Sequence, residues 1–355
     1  MKGSWIVSLL LALFSFGQSY RADPKSLAIY WVDVGGGAAT LIVTPQGESL
    51  LIDSGEDLDR DASRIHYVAT QVAGLKQIDQ VVFTHWHSDH FGGAYKLSRL
   101  MPLGKFYANR SIPEVAPDPA SPAQVPVIAK SLAQFKSIAG RNFRTLAPGD
   151  QLRLRQSGSP ALEIQCLAGD KKVISAPANA PGNPVCSKRK VGPDDLTDNA
   201  RSLVLRLKYG VFSFLVTGDL TWNAEEHLVC PKNLIGDVDL FQIGHHGLDQ
   251  SNNPLLIETI HPRVVVINNS QKKGAEPNTM KTLKSTKSVE AIWQIHRNIR
   301  TGDDLNTAPE FIANAKEDDN NVKAEFIKAT IQSDGRFSVQ IGTNGKPQTY
   351  LPRKG

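Results

Sequence analysis

Residues 84–93 read THWHSDHFGG, and they place His85, His87, Asp89 and His90 within six residues. Imidazole and carboxylate are the side chains that divalent cations such as Zn²⁺ prefer. An apolar β-type run precedes this motif and a pair of glycines ends it, which is typical of a buried strand that leads into a loop or helix. We therefore predict a metal site, and a binuclear one, at the end of this strand.

Two other predicted strands also end in residue types that bind metals. The apolar run 211–216 leads through Thr-Gly to Asp219, and the run 238–243 leads through a glycine to His245 and His246. Loops at strand ends bring distant parts of a chain to one edge of a sheet, which holds them rigidly. We therefore expect Asp219 and the histidine pair to complete the site.

Short apolar runs and helical patterns alternate over most of the chain. Residues 27–52 contain β-type runs separated by glycine and proline turns, which predicts an antiparallel meander. We predict an α/β (α+β) fold in one elaborated domain over residues 25–350, because large α/β folds reach this length without dividing. The predicted elements are helices at 61–72, from after Phe91 to before Pro102, and at 127–138, loop insertions near 111–126 and 169–198, and hairpin strands at 324–332 and 337–341.

The first 19 residues have the composition of a secretory signal peptide. Lys2 gives a positive start, residues 5–16 are mostly apolar, and small residues follow them. An uncleaved membrane anchor is the rival interpretation, but the apolar run is shorter than the ~20 residues that span a bilayer. We expect export, with a periplasmic or secreted mature protein that has no stable membrane anchor.

Charge and cysteine content narrow the functional classes. The net charge of +5 suits acidic partners such as phosphodiesters, but the basic residues are spread along the chain, so charge alone does not indicate nucleic-acid binding. Cys166, Cys186 and Cys230 are too few for a disulfide scaffold, although an exported protein could form one bridge and keep one thiol. The oligomeric state is left open.

These motifs resemble those of the metallo-β-lactamase superfamily, and more narrowly the hydrolase domain of the competence protein ComEC and its secreted stand-alone relatives. Beside the HxHxDH signature, the resemblance rests on VDVGGG at 32–37, LLIDSG at 50–55, residues 199–207, TGD at 217–219 and GHHG at 244–247. It covers residues 27–270. The resemblance implies a four-layer αββα sandwich with the metals at one edge of the two sheets.

The resemblance also implies a division of the ligands between two divalent ions, Zn²⁺ first and Mn²⁺ as the alternative. His85 and His87 would hold one ion, Asp89 and His90 would hold the other, and Asp219 would bridge them. One of the adjacent histidines would complete the second ion's ligands. His245 is preferred for that position, and His246 would contact the substrate or carry a proton in catalysis, alongside Asp89.

Four further residues are assigned supporting roles or possible ligation by the same resemblance. Asp53, and less directly Asp33, match a carboxylate that supports the ligating imidazoles, although capping of a turn beside glycine explains them equally well. The chain has no histidine between His90 and His227, where the family places another ligand of the first ion. Asp198, Asn199 or water would then fill that position through oxygen, which suits a harder ion such as Mn²⁺.

The expected activity is that of an exported hydrolase that uses a metal-bridging hydroxide. A phosphodiester substrate is favoured by the competence-protein resemblance and by the positive charge. Lactone, thioester and β-lactam substrates are the alternatives within the fold, because relatives share the metals while their pockets select different bonds. A noncatalytic protein that binds a metal or small ligand is the alternative outside the enzymes, and the missing histidine supports it.

Overall fold

The computed structural model describes residues 26–119, 121–155, 160–316, 318, 321 and 323–353. The predicted signal peptide, residues 1–19, lies outside the described residues. Within these ranges no helix combines the length and the apolar character needed to cross a bilayer.

The described residues form eighteen strands in two sheets of nine. The first sheet has the strand order β18-β17-β16-β1-β2-β3-β4-β5-β6, and the second has the order β15-β14-β13-β12-β11-β10-β8-β7, with β9 paired to β8. The strands are β1 (Leu27–Trp31), β2 (Thr40–Val43), β3 (Ser49–Ile52), β4 (Ile78–Phe83), β5 (Leu103–Ala108), β6 (Phe143–Thr145), β7 (Gln151–Leu152), β8 (Leu162–Gly169), β9 (Lys172–Val173), β10 (Val204–Tyr209), β11 (Phe212–Val216), β12 (Leu240–Gln242), β13 (Val264–Ile267), β14 (Ala291–His296), β15 (Ile312–Asn314), β16 (Ile327–Ile331), β17 (Phe337–Ile341) and β18 (Gln348–Tyr350).

Each sheet combines an antiparallel part with a parallel part. In the first sheet the strands are antiparallel from β18 to β3 and parallel from β3 to β6. In the second sheet they are antiparallel from β7 to β11 and parallel from β11 to β15. The carboxyl ends of the parallel strands therefore lie together at one edge of each sheet, which is where connecting loops collect functional side chains.

Helices cover the outer face of each sheet. They are α1 (Asp59–Tyr67), which continues as a π-helix at Val68–Val72, α2 (Ser88–Phe91), α3 (Ala94–Ser98), α4 (Gln124–Ala139), α5 (Trp222–Glu226), α6 (Pro254–Ile260) and α7 (Pro277–Ser285), with short 3₁₀ turns at Gly140–Asn142, Pro184–Lys188, Asp198–Arg201, Gly244–Gly247 and Pro309–Phe311. Helices α1, α3 and α4 pack on the first sheet, and α5, α6 and α7 pack on the second.

Three apolar layers hold this sandwich together. The central layer joins the two sheets, with Trp31 and Val82 of the first sheet buried against Phe214 and Trp293 of the second. A polar tie crosses the same layer, since Gln242 accepts hydrogen bonds from Trp31 Nε1 at 2.9 Å and from Thr40 Oγ1 at 2.7 Å. The predicted four-layer αββα fold is confirmed.

The predicted helix start at residue 127 is wrong by three residues. Helix α4 begins at Gln124, so the proline-rich segment 111–126 includes the helix's first turn. Pro126 is compatible with that position, because the first turn of a helix has no intrahelical acceptor for its N–H groups. The C-terminal hairpin is confirmed, with β16 and β17 antiparallel around the Asp-Gly turn.

The segment 169–198 is fastened to the second sheet's helical layer. Cys186 forms a disulfide with Cys230, and Cys166 stays a buried free thiol, so the expectation of one bridge and one thiol is confirmed. The basic run in this segment is partly neutralised, because Lys188 pairs with Glu258 and Arg189 Nε lies 2.6 Å from Glu226 Oε1.

Candidate metal centre

The predicted ligands meet where strands from both sheets end. The motif at residues 84–93 follows β4, Asp219 follows β11, and His245 and His246 follow β12. One backbone hydrogen bond crosses between the sheets, from Leu203 N, just before β10, to Thr84 O at 2.8 Å, and another joins the loops after β12 and β11, from His245 N to Gly218 O at 3.0 Å. The sequence prediction that these separate loops share one edge therefore agrees with the structure.

Asp89, His90, Asp219 and His246 form a cluster whose ligand atoms all lie within 4.8 Å of one another. His90 Nε2 is 3.2 Å from Asp219 Oδ2, and His246 Nε2 is 3.2 Å from Asp89 Oδ2 and 3.5 Å from Asp219 Oδ2. We call these residues the four-residue cluster. It contains His246, whereas the sequence interpretation preferred His245 for this position.

The tautomer of His90 is set by Asp53. Asp53 Oδ2 lies 2.8 Å from His90 Nδ1, and it also accepts the hydroxyl hydrogen of Thr84 at 2.9 Å. A carboxylate can only accept, so the proton of a neutral His90 is on Nδ1 and the lone pair is on Nε2, which faces the cluster. Asp53 therefore occupies the position of a carboxylate that orients a ligating imidazole.

Hydrogen bonds at Nδ1 also set the tautomers of His246 and His85. His246 Nδ1 donates to the carbonyl oxygen of Asn268 at 3.0 Å, and His85 Nδ1 lies 3.1 Å from Thr84 Oγ1, whose own hydrogen is given to Asp53. Both imidazoles therefore carry the Nε2 lone pair. Among the described residues, Nε2 of His85, His90 and His246 is buried without a hydrogen-bond partner. Buried polar atoms are normally satisfied, and a divalent cation would satisfy these three.

The electrostatics of the cluster favour positive charge at its centre. Burial lowers the pKa of His90, but Asp219, Asp53 and Asp89 outweigh burial and raise that pKa well above its ordinary value. Burial raises the pKa of Asp219, but His90, His246 and His245 hold it well below its usual range. A cation in this place would replace the proton on His90, because ligating imidazoles are neutral.

A second group of donors lies near Asp219 outside the four-residue cluster. His85 Nε2 and His245 Nε2 are 3.9 and 3.6 Å from Asp219 Oδ2. The His87 ring lies 4.6 Å from the His85 ring, centroid to centroid, and its Nε2 is 3.3 Å from Asp118 Oδ2. Donation from Nε2 to Asp118 leaves the His87 lone pair on Nδ1. Burial lowers the pKa of His85 well below its ordinary value and that of His245 to about 4, which keeps both imidazoles neutral.

The backbone is strained at the residues that build this edge. Asp53, His245 and His246 have φ values of 61°, 51° and 56°, a region that costs a residue with a side chain about 1–3 kcal/mol. Gly218 has φ of 54°, and a Cβ there would lie 2.8 Å from the Cβ of Thr84. The close approach of the two sheets at Gly218 thus brings Asp219 beside the motif.

Asp198, Asn199 and Asp33 occupy different surroundings. Asp198 accepts from the backbone N–H of Trp86 at 2.7 Å and from Arg110 at 2.7 Å, so its carboxylate braces the segment between His85 and His87. Asn199 Nδ2 lies 3.3 Å from His245 Nε2. Asp33 is buried in an ion pair with Arg64 at 2.9 Å and also accepts from His296 at 2.8 Å. It caps the Gly35 N–H as well, which agrees with the turn-capping alternative.

Sequence reasoning missed four residues that contact the candidate ligands, and one of them is Ser251, whose hydroxyl oxygen lies 3.1 Å from His245 Nδ1. Asp118 contacts His87, Asn268 orients His246, and Lys273 Nζ lies 2.5 Å from Asp89 Oδ2. Asp118 lies in the proline-rich segment and Lys273 in a polar loop, and neither has a motif around it. Asn268 directly follows β13, so the rule that strand ends carry functional groups was the one signal that could have found it.

The chain is similar to several known proteins. Residues 32–160 match the family model of the metallo-β-lactamase superfamily. The competence protein ComA of Neisseria gonorrhoeae is 25% identical over 264 residues, which are 74% of this chain and 30% of that protein. The ComE operon protein 3 of Bacillus subtilis is 22% identical over 252 residues, which are 66% of this chain and 27% of that protein. The solved metallo-β-lactamase SMB-1 is 17% identical with a TM-score of 0.36, covering 61% of this chain and 76% of that one.

The predicted resemblance to the superfamily and to competence proteins is thereby confirmed, and the general expectation of a metal-binding hydrolase is supported. The alignments span less than a third of the length of these curated relatives.

Proposed function

From the match to the metallo-β-lactamase superfamily, we propose that the chain is an exported, metal-dependent phosphodiester hydrolase with two divalent ions in its centre. The observation that carries the proposal is the set of three buried imidazole Nε2 atoms, on His85, His90 and His246, that have no hydrogen-bond partner among the described residues. Two of them lie in the four-residue cluster with the carboxylates of Asp89 and Asp219. This donor set is typical of sites for Zn²⁺ or Mn²⁺.

We assign the ligands in two groups that share Asp219. Asp89, His90 and His246 would hold one ion, because their ligand atoms form the four-residue cluster. His85 and His87 would hold the other, with His245 in the position of the absent family histidine. His245 is suited to that role because its Nε2 lies 3.6 Å from Asp219 Oδ2 and its imidazole is neutral.

When bound, the two ions supply Lewis acidity and lower the pKa of coordinated water toward neutrality. The chain's own residues prepare the donors for this role. Asp53 and the Asn268 carbonyl hold the protons of His90 and His246 on Nδ1, so that each Nε2 faces the centre with its lone pair. Because these partners are buried and fixed, little reorganisation is needed when the ions bind.

Two observations support a phosphodiester substrate. One curated relative is named a competence protein and another, in Haemophilus influenzae, is named recombination protein 2, and recombination is a reaction of DNA. The chain carries a net charge of +5, which attracts anionic substrates. The disulfide between Cys186 and Cys230 supports the export part of the proposal, because disulfides form and persist in oxidising compartments.

The test combines metal analysis with a substrate panel. Protein stripped with a chelator is reloaded with Zn²⁺ or Mn²⁺, its metal content is measured by mass spectrometry, and it is assayed with bis(p-nitrophenyl) phosphate, a lactone, a thioester and a chromogenic β-lactam. We expect two equivalents of metal and turnover of the diester. Asp219→Asn should lower kcat by at least about 100-fold, because it removes a charged ligand common to both groups.

The matched control is Asp239→Asn, a buried carboxylate directly before β12 that accepts from Ser213 N and lies outside the candidate ligands. Circular dichroism checks that both variants fold. A metal content near zero would refute the binuclear centre. Turnover of a lactone, thioester or β-lactam without turnover of the diester would refute the substrate class, and metal binding without any turnover would indicate a noncatalytic metal-binding protein.

A further inference from the structure

A lysine from the second sheet reaches the candidate centre from a tightly built turn. The turn follows β13, and in it Ser270 N donates to Lys273 O at 3.0 Å while Ser270 Oγ accepts from Lys272 N and Lys273 N. Gly274, with φ of 83°, comes next, and a Cβ there would lie 2.0 Å from the carbonyl oxygen of His246. Ala275 N donates to that same oxygen at 2.9 Å. The turn is therefore fastened directly to a candidate ligand.

The Lys273 side chain spans from this turn to the motif of the first sheet. Its Nζ lies 2.5 Å from Asp89 Oδ2, the oxygen that also faces His246 and His90. The Lys273 side chain is 38% exposed, whereas that of Asp89 is 15% exposed and that of His90 is buried. The Lys273 side chain is thus partly exposed to solvent, and its ammonium group contacts the four-residue cluster.

We propose that Lys273 binds a negatively charged oxygen of the substrate and makes the centre select anionic substrates over neutral ones. This inference rests on the proposed function and names the residue that recognises the negative charge of the substrate. An ammonium group has three donors and no acceptor, so one contact with Asp89 leaves donors for a second oxygen. A metal ion that shares the Asp89 carboxylate would weaken the hold of Asp89 on the ammonium, which strengthens its attraction for a substrate anion.

The ion pair itself does not account for this arrangement through stability. Pairs at comparable exposure stabilise a fold by only about 0–1 kcal/mol. The other basic residues that the sequence singled out are less suited to recognise a substrate anion at the centre, since Lys188 and Arg189 are paired with Glu258 and Glu226. Lys273 contacts the centre directly.

The adjacent lysine provides a matched control. Lys272 belongs to the same turn and has the same charge, but its side chain is exposed, and its backbone carbonyl accepts from Arg300 at 3.0 Å. A substitution of Lys272 changes the net charge as a substitution of Lys273 does, so the comparison separates a local contact from the general field of the protein.

The experiment compares Lys273→Met, Lys273→Arg and Lys272→Met with the wild type, each loaded with the same metal. Binding of inorganic phosphate is measured by titration calorimetry, and kinetics are measured on bis(p-nitrophenyl) phosphate and on the neutral ester p-nitrophenyl acetate. Lys273→Met should weaken phosphate binding by about 10-fold or more, because a hydrogen bond to a charged group is lost. It should raise KM for the diester more than it raises KM for the neutral ester, while Lys273→Arg keeps most of the affinity and Lys272→Met behaves as the wild type.

Equal phosphate affinity in Lys273→Met and Lys272→Met would overturn the inference. An equal rise in KM for the anionic and the neutral ester in Lys273→Met would also overturn it. A wild type that binds metal but no phosphate would overturn it as well. Failure of the proposed function is distinguishable, because it shows in the wild type as a lack of metal or of any hydrolysis. The phosphate titration still measures the contribution of Lys273 in a protein without turnover.

Discussion

Replacing Asp53 by asparagine tests how the candidate centre is held in its ligating state. The carboxylate accepts three hydrogen bonds in the core, from Thr84 N at 2.8 Å, from Thr84 Oγ1 at 2.9 Å and from His90 Nδ1 at 2.8 Å. An amide has nearly the same shape but only one oxygen. Whichever way the amide is turned, its NH₂ group therefore faces a hydrogen-bond donor where the carboxylate had an accepting oxygen.

Either orientation of the amide has a cost that can be estimated. If the nitrogen faces His90, the ring can restore a hydrogen bond only by moving its proton to Nε2, which directs that proton into the four-residue cluster. If the nitrogen faces the backbone of Thr84, a buried N–H loses its acceptor, which costs about 1–3 kcal/mol of folding free energy. Loss of such a supporting carboxylate lowers metal affinity by about 10–100-fold, equivalent to about 1.4–2.7 kcal/mol.

The assay measures both quantities on the same protein. Zn²⁺ affinity is obtained by competition with a chromophoric chelator, and the free energy of unfolding of the metal-free protein is obtained from urea titration. Asp79→Asn is the matched control, because Asp79 also accepts a backbone N–H and a hydroxyl, both from Ser49, but does so on β4 away from the centre. If Asp53→Asn bound Zn²⁺ as tightly as Asp79→Asn does, the assignment of the His90 tautomer would be wrong.

Two further predictions follow from burial. Burial raises the pKa of Cys166 to about 12, so iodoacetamide at pH 8 should leave the native protein unmodified. After unfolding, it should alkylate one cysteine without reductant and three cysteines with reductant. Alkylation of the native protein would contradict the buried thiol and the disulfide. Burial lowers the pKa of His245 from 6.5 to about 4, so in metal-free protein the unfolded chain takes up this proton first as the pH falls. His245 should therefore reduce stability by up to about 1.4 kcal/mol per pH unit between pH 6.5 and 4. Urea unfolding of His245→Gln should show a smaller loss of stability as the pH falls. A pH dependence equal to that of the wild type would contradict the lowered pKa of His245.

The sequence predicts the fold and the location of the site because both depend on local patterns. The HxHxDH motif follows β4, Asp219 follows β11 and the histidine pair follows β12, each in the order in which apolar runs end. Parallel strands then bring these ends to one edge, which requires no knowledge of side-chain packing. The supporting position of Asp53, one residue beyond β3, was implied by the family resemblance, with turn capping as an equal alternative.

The partners of the ligands could not be predicted, because they depend on contacts between distant segments. Asp118 reaches His87 from a proline-rich segment, and Lys273 reaches Asp89 from a position 184 residues further along the chain. Asp198 is a possible substitute ligand by its position in the sequence, and its contacts with Trp86 N and Arg110 are visible only in the structure. The sequence near these positions contains no pattern that indicates such contacts.

In the proposed assignment, the histidine pair supplies the imidazole that replaces the absent family histidine in the group of His85 and His87. Neighbouring residues of an extended strand project in opposite directions, but His245 and His246 follow the strand and both have left-handed backbone conformations. Their ring centroids are 6.2 Å apart, and their Nε2 atoms lie 3.6 and 3.5 Å from the same oxygen of Asp219. Each of the two donor groups thus receives one imidazole from the pair. The conformation costs about 1–3 kcal/mol per residue, and it persists because the surrounding contacts of Ser251 with His245 and of Asn268 with His246 fix both rings.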